Sequence, residues 1–94
     1  MEFEEAVLDV VASLLAGRSS ELEEVGLTCR PEPLSRLGEG TSELALNFVD
    51  SSGIADVIEF HVVKDGQPIA SLQEVEAWLR EALDDVVSRR RSQR

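Results

Sequence analysis

Ninety-four residues make one small domain, which buries only roughly 60–65% of the surface its unfolded chain exposes. A hydrophobic share of 43%, a single cysteine and no apolar run near ~20 residues exclude disordered, collagen-like, disulfide-built and helical membrane-spanning classes. Nineteen acids face nine bases, a formal net charge of -10, and four of those bases (Arg89, Arg90, Arg91 and Arg94) fall in the last six positions.

The remaining body is therefore strongly acidic. Such a surface repels phosphate backbones and anionic membranes, so neither nucleic acid nor a membrane is the expected partner. The N-terminus is acidic where a secretory signal is basic, and Cys29 has no partner thiol. Both features point to a reducing, cytoplasmic setting.

In chain order, Phe3 to Leu15 reads as an amphipathic helix. Phe3, Val7, Val10, Val11, Leu14 and Leu15 repeat at spacings of three and four. Glu2, Glu4 and Glu5 suit its N-terminal dipole, and Gly17 is the expected stop. Ser19 and Ser20 can cap a further short turn. Val25 to Arg30 permits a short strand, and Pro31 and Pro33 argue against regular structure after it. Gly38 and Gly40 make a flexible approach to the next element.

Glu43 to Val49 and Ala55 to Val63 both alternate, and Asp50-Ser51-Ser52-Gly53 between them is turn chemistry. A hairpin follows, with Leu44, Leu46, Phe48, Ile58, Phe60 and Val62 on one face. Val57, Glu59, His61 and Val63 take the other. A three-residue turn would set Glu43 opposite His61. Asp65-Gly66 marks a second turn, and Pro68 restricts Gln67 to Ala70 to a sheet edge.

Ser71-Leu72-Gln73-Glu74 has the form of a capping box. The helix after it carries Leu72, Val75, Trp78, Leu79, Ala82, Leu83, Val86 and Val87 as an apolar stripe. It is expected to end near Ser88, with residues 89–94 a frayed basic tail.

The expected fold is α+β in the order α-β-β-β-α, one domain over residues 1–88. It is a two-layer sandwich, two helices on one face of a small antiparallel sheet of two or three strands. Val57 and Val63 would then lie on the uncovered face and mark a homodimer interface.

Chemistry-bearing residues are sparse. Glu43 across from His61 is an acid–base pair or an ordinary cross-strand pair. Cys29 lacks a nucleophile signature and reads as a small buried hydrophobe. One His and one Cys give no zinc pattern, and the carboxylate clusters lack calcium-loop spacing. Gly38-Glu39-Gly40 is no phosphate cradle. No cofactor or metal is expected.

The functional expectation is a non-enzymatic acidic module that docks on a basic protein. Glu21, Glu23 and Glu24 in a loop, and Asp84 and Asp85 on the last helix, are its candidate contacts. The alternatives are a nucleic-acid mimic that occupies a DNA-binding protein's groove, and a small acid–base enzyme using His61.

Overall fold

The computed structural model describes residues 2–93; Met1 and Arg94, the ends of the acidic start and of the arginine cluster, lie outside the described residues. The fold is α+β: two helices and one curled antiparallel sheet. Helix α1 spans Glu2–Glu24 and helix α2 spans Leu72–Ser92. Strands β1 (Thr28–Pro31), β2 (Ser35–Gly38), β3 (Thr41–Asp50), β4 (Gly53–Lys64) and β5 (Gln67–Pro68) lie between them. Five strands replace the two or three expected.

Strand β3 is central, with β4 on one side and β1 and β2 in succession on the other. The prolines do not end pairing as expected. Pro31 closes β1 opposite Leu46, and Glu32 N–H still donates to Ala45 O at 2.8 Å. An edge strand tolerates proline because one of its sides needs no donor.

Alternation on β3 buries Ser42, Leu44, Leu46 and Phe48. The three apolar ones join Val7, Val11, Leu14 and Leu22 of α1 and Val75, Leu79, Leu83, Val86 and Val87 of α2 in one core. The ion pairs Arg18–Asp84 and Glu24–Arg91 join the helices at nearly equal sequence offsets, so α1 and α2 run in the same direction.

Helix α1 does not stop at Gly17. It continues for seven residues because Leu22 reaches the core, at 3% exposure, and Arg18 pairs with Asp84. Ser19 and Ser20 are thus helix interior, with Ser19 Oγ donating to Ala16 O. The stop is Gly26, at φ 76°. Gly26 N–H donates to Glu23 O and Leu27 N–H to Leu22 O, a Schellman closure with both leucines buried.

Helix α2 begins as expected, Ser71 Oγ accepting from Glu74 N–H at 3.2 Å. Its end differs: the helix runs through the arginines to Ser92 instead of fraying after Ser88. Arg90 donates to Val25 O at 3.0 Å and pairs with Asp50 at 2.9 Å. Arg89 bridges Asp85 and Asp56, and Arg91 reaches Glu24. Three arginines thereby fasten the last turn to α1 and to the hairpin.

Candidate functional site

Position on the two faces of β4 decides what its side chains can do. A bulge between Phe48 and Val49 lets a two-residue Ser51-Ser52 turn bring Glu43 opposite His61, the expected pair from a different turn. Asp50 Oδ1 holds that turn by accepting from the N–H and hydroxyl of Ser52. No hydrogen bond or ion pair joins His61 to Glu43 among the described residues. Cys29 pairs with Phe48 and packs on the core, whereas His61 is exposed on the other face. The two do not meet. Burial pushes the Cys29 thiol up to about 11, which keeps it protonated and a poor nucleophile at neutral pH. Among the described residues no group of three or more His, Cys, Asp or Glu is placed to hold a metal.

A second bulge, between Ser42 and Glu43, changes the sheet face. Val63 pairs with Ser42 and is turned into the core at 2% exposure. The expected exposed pair is corrected: Val57 stays open at 40%, and Val63 does not.

The five candidate acids lie on helices. Glu21, Glu23 and Glu24 form the end of α1, not a loop, because α1 outruns Gly17. Four of the five already face arginines of the same chain: Glu21 and Asp84 meet Arg18, Glu24 meets Arg91 and Asp85 meets Arg89. Most of the chain's cations are used in this way. Arg36 is held by Glu4 and Arg80 by Glu76. Exposed carboxylates remain outside this network, among them Glu5, Glu23, Glu39, Glu59, Glu74 and Glu81.

Glu4 departs from its expected role at the helix dipole. It occupies the core stripe of α1 at 4% exposure. The Ser42 hydroxyl beside it, and then the Arg36 guanidinium, hold its carboxyl below its ordinary range against the opposing effect of burial. Among the described residues Ser42 Oγ is buried and reaches no partner with full hydrogen-bond geometry, so it acts as a nearby dipole.

Sequence reasoning missed one feature. The three- and four-residue spacing assigns Trp78 to the core stripe, but it precedes Leu79 and so lies about 100° round the helix from it. It is 43% exposed and meets Phe60 edge to face at 5.1 Å. Phe60, Ile69, Ala70, Glu74, Val75 and Trp78 line a groove of about 410 Å³ at the margin of the sheet. Ile69 and Leu72 are exposed nearby in sequence. The helical angle of Trp78 was the available signal.

A scan against protein-family models, a search of curated proteins and a search of solved structures each return no match for this chain.

Proposed function

We propose that this chain is a non-enzymatic, acidic interaction module that docks on a basic surface of another protein. The observation that carries the reading is the internal use of the cations. Arg18, Arg36, Arg80, Arg89, Arg90 and Arg91 each hold a carboxylate of the same chain, so the free charge facing solvent is mostly negative. Opposite charge on a partner raises the encounter rate, and buried apolar contacts lengthen residence. With Val63 in the core, the expected apolar pair on the open face is reduced to Val57, so we favour a different protein over a homodimer. On this reading both helices cover one layer of a two-layer sandwich, leaving the rest of the sheet free for contact, and the free Cys29 suits a reducing cytoplasm.

The experiment is capture from a native lysate at low salt with elution by salt, followed by kinetics on the captured partner. The association rate should fall about tenfold or more as salt passes from roughly 0.05 to 0.5 M. An association rate indifferent to salt would remove the electrostatic reading.

A further inference from the structure

Strand β4 is paired with β3 along its length, but its second side is covered only at one end. There β5 pairs with Val63 and Lys64, and Ile69 N–H donates to Val62 O. From Gly53 to His61 no strand lies on that side among the described residues. Asp56 Oδ1 accepts from Val57 N–H. Elsewhere along this edge, alternate residues turn N–H and C=O groups outwards, the template for an added strand.

Helix α2 runs beside the same edge. Trp78 meets Phe60 at one end, and Arg89 meets Asp56 at 2.9 Å at the other. Glu74, Trp78, Glu81, Asp85 and Arg89 recur at spacings of three and four, hence on one helical face. Among the described residues Glu74 and Glu81 are exposed and in no ion pair; Asp85 and Asp56 share the single guanidinium of Arg89. Exposed Glu59 adds a further carboxylate from β4. The edge is therefore an open backbone template beside an aromatic groove with acidic borders. A second copy would bring the same carboxylates against themselves, which is unfavourable.

We infer that the open edge of β4 takes up an extended segment of a partner protein as an added strand. An aliphatic or aromatic side chain of that segment would lie on Trp78 and Phe60, with Arg or Lys two residues to either side on the same face against Glu74 and Glu81, and Arg or Lys of the opposite face against Glu59. This inference rests on the docking reading above and assigns it a place and a peptide chemistry.

The probe is a capped nonapeptide with a central Phe, Arg two residues before and after it on the same face, and Arg and Val elsewhere, free of Trp, added to the full chain. Trp78, the single tryptophan, reports directly. A saturable blue shift of its emission is expected, with slower exchange of β4 edge amides. N-methylation of alternate peptide amides should weaken binding about tenfold or more, since it removes several main-chain hydrogen bonds. The double variant Glu74→Lys, Glu81→Lys should weaken it comparably, and a peptide with Glu in place of Arg should not bind. Trp78→Ala, its fold checked by circular dichroism, should lose binding measured by calorimetry.

Absence of binding by the Arg peptide, or binding that leaves Trp78 emission and N-methyl sensitivity unmoved, would overturn the inference. Binding lost only in a Glu21→Gln, Glu23→Gln, Glu24→Gln variant would also overturn it while leaving the docking reading standing. A dimer at sedimentation equilibrium with the β4 amides already protected would overturn it in favour of a second copy. Salt-independent binding of a captured partner would strike the docking reading instead.

Discussion

Leu79 is 1% exposed in the middle of α2, where truncation leaves a cavity that the packed helices and sheet fill only in part. Leu79→Ala should cost about 2–4 kcal/mol in chemical denaturation. A loss below roughly 0.5 kcal/mol would contradict its place in the core. Cys29 makes a chemical prediction at the same scale. Because burial pushes its thiol up to about 11, iodoacetamide should label it slowly near neutral pH and fast once the chain is unfolded. Glu4 supplies the pH dependence. Its folded carboxyl is held below the ordinary range, first by Ser42 and then by Arg36, so its contribution is complete above that range. It is lost as pH falls below the ordinary carboxylate range and through the depressed value. The melting-temperature gap between the parent and Glu4→Gln should therefore be widest at neutral pH and close in acid.

Elements here are ended by what they can bury as much as by their breakers. Gly17 is helical with nothing within 4 Å of a built Cβ, whereas Gly26 ends α1 at φ 76°. The same substitution should act with opposite sign at the two positions. Gly17→Ala should stabilise by about 0.5–1 kcal/mol through helix propensity. Gly26→Ala should destabilise by about 1 kcal/mol, because it places a Cβ in the left-handed conformation of the Schellman closure. Denaturation midpoints of the two variants decide this. The α2 terminus follows the same logic: Arg90 has a half-buried pair and a backbone acceptor, so Arg90→Ala should lower the melting temperature more than Arg91→Ala, whose pair with Glu24 is exposed.

For the whole molecule, the proposed docking makes charge the determinant of encounter. The variant Glu21→Gln, Glu23→Gln, Glu24→Gln should keep the fold, since all three lie at the end of α1 and the side chains of Glu21 and Glu24 are 46% and 68% exposed in their pairs with Arg18 and Arg91. Its association rate with a captured partner should drop in the direction that salt drops the parent's, with dissociation much less affected. The edge-strand inference separates from this effect, because the end of α1 and the groove at Trp78 lie towards opposite ends of α2.

Local order along the chain settled a good deal without tertiary information. Alternation in Leu44, Leu46 and Phe48 chose the buried face of β3, and the Ser71-to-Glu74 cap set the start of α2. Acid excess set the surface character. These follow from periods and caps that neighbouring residues define alone. Other features depended on contacts between distant residues. The length of α1 past Gly17 required Leu22 and Arg18 to find the core and Asp84. The order in Arg89, Arg90 and Arg91 required Asp56, Asp50, Val25 and Glu24. Bulges in the β3–β4 ladder, invisible to a strict two-residue alternation, sent Val63 inward and kept Glu43 opposite His61. Acid excess fixed the sign of the surface in advance; which carboxylates stay free was decided only when folding brought each arginine to its partner.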